Sequence, residues 1–413
     1  MASKANVDKG FKIWIILFLL IDFRFFYLLP LPEILAGASS NKFFLGVFSL
    51  IFFGYYFIKS IFKKFQLGLF GKEILFLFLI LIFIMFKDFL TTSYSLSTIF
   101  WNIIPFFILL SYFPFREYFS TNNYNYQFFV RIASIFSIIT SVLLISQVLL
   151  YSGESSVFLQ LGGMISDRYL YNPSLGFRLY GVADGFYRIF AIVLGNNIIT
   201  KKTKLMSFEG LALILILLSI IIVDQSRYYL LVIIISFIFM ALSENNFKVT
   251  PKRLFVFLLA FFASLPVLLK NISSILGSII DNSGSSYART EAISYYLNII
   301  WNYLLFGLGR IIPGDWTEKY WIIKGPKGIY NYDDIGIIGV LASLGIIVFA
   351  LYLYIVIKLI YRTVKRKNVM NIGITTLMIL SLTINSYLDN SRIITLLFSL
   401  LLFELNYFQK KDI

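Results

Sequence analysis

Tyr332-Asp333-Asp334-Ile335-Gly336-Ile337-Ile338-Gly339 closes the one long polar interval of a 413-residue chain, and that interval, Lys270 to Asp334, decides how the flanking sequence is read. Within it stand Tyr287-Ala288-Arg289-Thr290-Glu291, an apolar run from Ile299 to Phe306, Gly307-Leu308-Gly309-Arg310, and a tip rich in Pro, Gly, Trp and Lys. Connections this long in compact proteins are mostly functional or disordered. Trp316, Tyr320, Trp321 and Tyr330 favour order. On both sides lie apolar runs, so a basic, aromatic-rich stretch is held between segments that avoid water.

Composition says what those runs are. Hydrophobic residues make up 59% of the chain and charged ones 14%, against roughly half and a quarter in soluble domains. A bilayer core takes about 20 apolar residues per helix. Only helices and closed barrels satisfy their backbone there, and continuous rather than alternating runs select helices. Spans are expected near 11–30, 43–58, 74–90, 96–113, 128–151, 179–199, 209–223, 228–242, 254–269, 334–357, 369–387 and 393–408. The expectation is therefore an all-α polytopic membrane protein of about twelve helices, with 1–413 a single integral-membrane domain. It carries an outer loop at 152–178 and a large outer loop at 270–333, between the ninth and tenth helices.

A net charge of +15 would suit nucleic acid, but the positions of the charges exclude that partner. Lys4, Lys9 and Lys12, then Lys59, Lys63, Lys64 and Lys72, then Arg116 and Arg131, then Lys201, Lys202 and Lys204, then Lys248, Lys252 and Arg253, then Lys358, Arg362, Lys365, Arg366 and Lys367, and finally Lys410 and Lys411 fall in alternate loops and at the ends. The positive-inside rule places those loops and both termini in the cytoplasm. The long interval then faces outward. Ala36-Gly37-Ala38 has the form of a cleavage site, yet the run before it is too long for a signal core and contains Asp22 and Arg24, so it is read as uncleaved. The chain has no Cys and no His, which removes the commonest general base and metal ligand.

Basic residues on the outer side are the informative ones, because charge bias does not ask for them. Phe177-Arg178-Leu179-Tyr180 leads toward Asp184 and Arg188, which are four apart and able to pair on a helix, leaving Arg178 over. Arg227 opens a helix after the tight turn Asp224-Gln225-Ser226; it either snorkels to head groups or lines an anion cavity. Small residues from Gly336 to Gly345 suit close helix packing. The adjacent acids Asp333 and Asp334 either cap that helix or carry chemistry.

Four of these segments, in this order, resemble the bacterial O-antigen polymerase and ligase superfamily. They are Arg178-Leu179-Tyr180-Gly181, Ser226-Arg227 opening a helix, Arg289 with the run into Phe306-Gly307-Leu308-Gly309, and Asp333-Asp334-Ile335-Gly336-Ile337-Ile338-Gly339 with Gly345 beyond. The resemblance covers roughly the second half of the chain and implies a GT-C-like enzyme. Such an enzyme polymerises undecaprenyl-pyrophosphate-linked repeats at the outer face of the bacterial inner membrane, as in O-antigen and lipopolysaccharide biosynthesis, without cofactor or metal. Donor and acceptor are lipid-linked glycans, and a chain-length regulator protein is a possible partner. Ligase relatives carry a His shortly before the glycine-rich helix, and its absence favours polymerase over ligase. A flippase for the same lipid is the alternative of a different class.

Breaking a sugar–diphosphate bond builds negative charge on the leaving group, which permanently charged guanidinium forks suit. On this reading Arg178, Arg227 and Arg289 hold pyrophosphate. Asp333 or Asp334 is the base for the acceptor hydroxyl, with Glu291 and then Asp184 behind them, and Arg188 and Arg310 are secondary candidates. Trp316, Tyr320 and Trp321 stack on sugars or anchor at head groups.

Overall fold

The computed structural model describes residues 2–25, 40–61, 66–91, 94–151, 169–172, 176–179, 184–244, 284–310, 318–390 and 392–408. Every expected span carries helix except 254–269, which lies outside the described residues. Among the described residues, five helical stretches are long and apolar enough to cross a membrane: Asn41–Ser60, Gly71–Thr91, Leu96–Thr121, Asn123–Leu150 and Gly336–Lys365. Gly185–Ile199, Tyr228–Glu244, Val369–Ser381 and Ile393–Tyr407 are shorter apolar helices. The architecture is that of a helical, membrane-embedded protein.

The helical frame carries one small addition: Tyr169–Asn172 and Gly176–Leu179 pair as an antiparallel hairpin with Leu170 opposite Arg178. Tyr and Phe favour extended backbone there. The described part of 270–333 contains helix of its own. Gly284–Ile299 is a helix, Ile300–Tyr303 continues it as a 3-10 turn, and Glu318–Lys324 is a second short helix. No Gly or Pro interrupts residues 285–306, and Ala288, Glu291, Ala292 and Leu297 are good helix formers.

The described residues divide into two compact units. The first comprises 1–71, 104–237 and 390–413. Its core is aromatic and centred on Phe398 of the last helix, whose ring meets Phe18, Phe115, Phe129 and Phe186. Glu404, one and a half turns further on, is buried. It accepts from the Leu69 amide at 2.8 Å and from Tyr112, and it pairs with Arg116. Asp22 is likewise buried and pairs with Lys42 at 2.8 Å, which gives that acid a structural partner.

The second unit comprises 72–103 and 238–389. Its outer segment has its own apolar centre: Ala292, Tyr296 and Ile300, four apart on one helix face, pack with Leu308, Ile323, Tyr330, Tyr332, Ile335 and Ala342. The Tyr295 and Tyr296 hydroxyls donate to the carbonyls of Ile322 (2.7 Å) and Ile323 (2.5 Å). Those acceptors belong to the last turn of the Glu318–Lys324 helix, whose carbonyls lack helical partners.

The Gly336–Lys365 helix does not run straight through, as close packing of its glycines would suggest. It is broken at Gly345, where φ is 80° and ψ is 179°. The segment 304–309 lies against the break and completes its hydrogen bonding. Leu308 and Gly309 amides donate to the Ala342 and Ser343 carbonyls at 2.8 and 3.0 Å, and the Ile346 amide donates to Leu304 at 2.8 Å. Glycine is required on both sides of this contact. A Cβ on Gly345 would stand 2.3 Å from the Leu305 carbonyl oxygen, and one on Gly307 would stand 2.5 Å from the Ser343 carbonyl. Interrupted helices are tolerated at membrane depth only where protein or a cavity satisfies the freed backbone.

Candidate functional site

A cavity of about 790 Å³ opens in the second unit beside this break. One wall is the 301–308 segment, from Trp301 to Gly307 and Leu308. The opposite wall is the end of the Gly71–Thr91 helix, with Lys87, Asp88 and Thr91, together with Tyr94; Lys319 and Ile322 complete it. The volume is within the usual range for ligand sites, about 300–1,000 Å³.

The position of the cavity along the helices follows from two contacts. Glu73 pairs with Lys358 at one end of the Gly71–Thr91 helix, and Lys87 Nζ donates to the Gly307 carbonyl at 3.0 Å near the other. At 1.5 Å per residue these levels are about 20 Å apart. The cavity therefore belongs to the end expected to face outward.

Two cations and one acid line the cavity. Lys87 and Lys319 both approach Asp88 Oδ1, at 3.2 and 3.3 Å, so two ammonium groups share one carboxylate. Lys319 also lies 5.9 Å from the centre of the Tyr94 ring. Sequence reasoning missed these three residues as a group. Lys87-Asp88 has the look of a plain turn signal, and the only available signal was its charge at the end of an otherwise apolar run.

Arg310 follows directly on the Gly307–Gly309 turn. Its Nη2 lies 3.4 Å from Asp333 Oδ1, and its guanidinium lies over the Tyr332 ring at 5.6 Å. Asp333 keeps a third of its side-chain surface exposed, 33% against 9% for Arg310. Asp334 instead accepts from Asn331 Nδ2 at 3.1 Å, inside a 3-10 turn that Asn331 caps through the Asp333 amide. The adjacent acids thus have different surroundings. Asp334 braces the turn and Asp333 faces a cation.

No family model matches this chain, and no curated protein matches it.

The remaining expected site residues divide by how much of each is described. Glu291 receives Lys327 Nζ on both carboxylate oxygens, at 2.6 and 2.7 Å, and also the hydroxyls of Tyr287 and Tyr330. Hydrogen bonding from Lys327 first, and from Tyr287 next, holds its carboxyl below the usual range. The same contact with Glu291 raises Lys327. A carboxylate so held is a weak base and a good clamp. Arg289 is half-buried on the same helix and makes no side-chain hydrogen bond or ion pair among the described residues. Arg188 is buried in the first unit, its guanidinium 3.2 Å from the centre of the Tyr229 ring. Arg227 does open a helix, Arg178 lies in the hairpin and Asp184 starts the next helix. The side chains of Arg178, Asp184 and Arg227 lie outside the described part, as do Trp316, Tyr180 and Gly181.

Proposed function

We propose that the protein is a membrane glycosyltransferase of GT-C-like, roughly twelve-helix architecture. It polymerises undecaprenyl-pyrophosphate-linked oligosaccharide repeats at the outer face of the bacterial inner membrane. The observation that carries this reading is the cation-rich cavity built where the Gly307 turn docks on the broken helix, at one end of strongly apolar spans. A lipid-diphosphate donor has its reactive bond at the membrane surface, so the enzyme must hold a diphosphate there while an acceptor sugar approaches from the aqueous side.

Asp333 is the base in this proposal, because a third of its side-chain surface is exposed and Arg310 lies beside it. It takes the proton of the acceptor hydroxyl as that oxygen bonds to the donor's anomeric carbon. The bond from that carbon to the diphosphate oxygen breaks, and the diphosphate leaves with the electron pair, stabilised by fixed cations. Glu291, with its lowered pKa and three partners, holds the outer segment together.

Purified protein given lipid-linked repeats in detergent should lengthen them into a ladder without ATP. Asp333→Asn should slow lengthening at least about 100-fold, the usual contribution of a positioned base, whereas Asp334→Asn should retain most of the activity. Equal rates for the two variants would remove Asp333 from this role. The flippase reading draws on the same broken helix, since transporters place unwound helices at their substrate sites. Transbilayer movement of the lipid with no lengthening would select it.

A further inference from the structure

We propose that the outer segment is seated in the membrane rather than held clear of it. The end of the Gly284–Ile299 helix, with the turn that continues it, buries Leu297, Trp301 and Leu305 in the outer leaflet. The partner is the bilayer itself, at the boundary between head groups and acyl chains. This rests on the geometry of the second unit and does not use the transferase reading.

Three observations converge on that partner. First, one face of the segment changes character along its length. Thr290, Ser294, Leu297, Trp301 and Leu305 follow one another at steps of three or four residues, which keeps them on one side of a helix, and all five are exposed. The first two are polar and the last three apolar, with Leu297, Trp301 and Leu305 43%, 73% and 58% exposed. This is not the core face, because Ala292, Tyr296 and Ile300 hold the segment to its own apolar centre. Second, the apolar end lies at the level of a spanning helix. Lys87 Nζ donates to the carbonyl of Gly307, two residues beyond Leu305, at 3.0 Å, and Trp301 and Leu305 line the same cavity as Lys87 and Thr91. Lys87 and Thr91 belong to the end of Gly71–Thr91, a helix that turns Phe83, Phe86, Phe89 and Leu90 outward. A bilayer that covers this span to its end reaches the level of Trp301 and Leu305. Third, the residue types suit the boundary. Trp and Tyr are the side chains enriched where hydrocarbon meets head groups, as Trp301 and Tyr303 would here. Asn298 and Asn302, exposed beside the apolar column, are polar groups that hydrocarbon rejects.

The gradient gives the proposal its sharpest consequence. Insertion stops between Ser294 and Leu297, so neighbouring positions on one face meet different solvents. A segment standing in water would not show this, nor would one covered by protein. The cavity wall from Trp301 to Leu305 then borders lipid, and the cavity is bounded by the leaflet and not by water alone.

The chain has no Cys, so single-Cys variants carry a nitroxide at one place each. The test is power saturation of that nitroxide in the full-length protein, held in nanodiscs of phosphatidylglycerol and phosphatidylethanolamine. Molecular oxygen reports hydrocarbon and a nickel chelate reports water. Phe83→Cys, on the outward side of a spanning helix, is the lipid reference, and Lys202→Cys, on an exposed loop of the first unit, is the water reference. Ser294→Cys should match Lys202→Cys, and Leu297→Cys should fall between the two references. Trp301→Cys and Leu305→Cys should approach Phe83→Cys, with oxygen collisions raised and nickel collisions lost. All these positions are exposed, and Leu305→Cys carries the test should Trp301→Cys fail to fold. Profiles at Trp301 and Leu305 matching that of Lys202→Cys would overturn the proposal. So would an immobilised nitroxide that meets neither reagent, the signature of a protein partner or a second copy of this chain. No substrate is added, so failure here leaves the transferase reading standing, and absence of chain lengthening leaves this profile standing.

Discussion

Two clusters in this protein each tie a basic residue to a carboxylate far away in sequence, Arg116 to Glu404 and Lys319 to Asp88, and they differ in enclosure. In the first unit Glu404, 2% exposed, meets one guanidinium, Arg116, and its other contacts are neutral donors from Tyr112 and the Leu69 amide. The charges cancel and the acceptor is enclosed. In the second unit Asp88 meets two ammonium groups beside an open cavity. A compensated, enclosed cluster fixes helices to one another. A cluster beside open space is accessible to a ligand. Enclosure separates architecture from site here better than the presence of ionisable residues at membrane depth does.

The largest expected effect breaks the scaffold of the open cluster. Gly345→Val places a branched side chain at φ 80°, against the Leu305 carbonyl. The docking of 304–309 should fail at a cost above about 4 kcal/mol, in the exceptional range for one substitution. Loss of the monodisperse peak on size-exclusion chromatography would report it, and a folded variant with normal chain lengthening would show that the break is dispensable.

Next comes the closed cluster. Glu404→Leu leaves Arg116 without its acid and should cost about 3–5 kcal/mol, read as a lower Tm in detergent. Adding Arg116→Met should recover much of the loss, because an apolar pair replaces an ion pair with little penalty. No such rescue is expected from pairing Asp88→Leu with Lys319→Met, where a second ammonium remains. Rescue there would erase the distinction drawn between the clusters.

The smallest effect sharpens the comparison with a third, surface cluster. Glu291 has a lowered pKa in the folded protein, so its contribution is present above the ordinary carboxylate pKa and is lost as pH falls through the lowered value. Lys327 is raised, so its contribution is full below the ordinary ammonium pKa and is lost as pH climbs through the raised one. The clamp therefore holds at neutral pH and opens on acidification. Hydrogen exchange of residues 284–299 should accelerate below the ordinary carboxylate range, and Glu291→Gln should remove that pH dependence.

Much of the helical frame was legible because the bilayer acts on each segment separately. Twenty apolar residues satisfy it whatever their neighbours, and Gly71–Thr91 or Gly336–Lys365 can be read off composition alone. The candidate site was half legible. Phe306-Gly307-Leu308-Gly309 and Asp333-Asp334 were visible as motifs, and Arg310 was visible as a loose cation. Gly345 was not visible as a break, since small residues spaced along a helix serve packing equally well. Glu291 next to Arg289 suggested chemistry, and only its contacts with Lys327, Tyr287 and Tyr330 made it a clamp.

By itself, then, the sequence determined a helical membrane protein with a structured polar interval, since hydropathy and helix length are local quantities. Only the tertiary structure decided that Lys87, Asp88 and Lys319 share a cavity, that Asp333 rather than Asp334 faces Arg310, and that one helix is broken and mended by segment 304–309. These are encounters between groups up to more than two hundred residues apart. Electrostatic and backbone hydrogen-bond energies depend on distances that no linear pattern records.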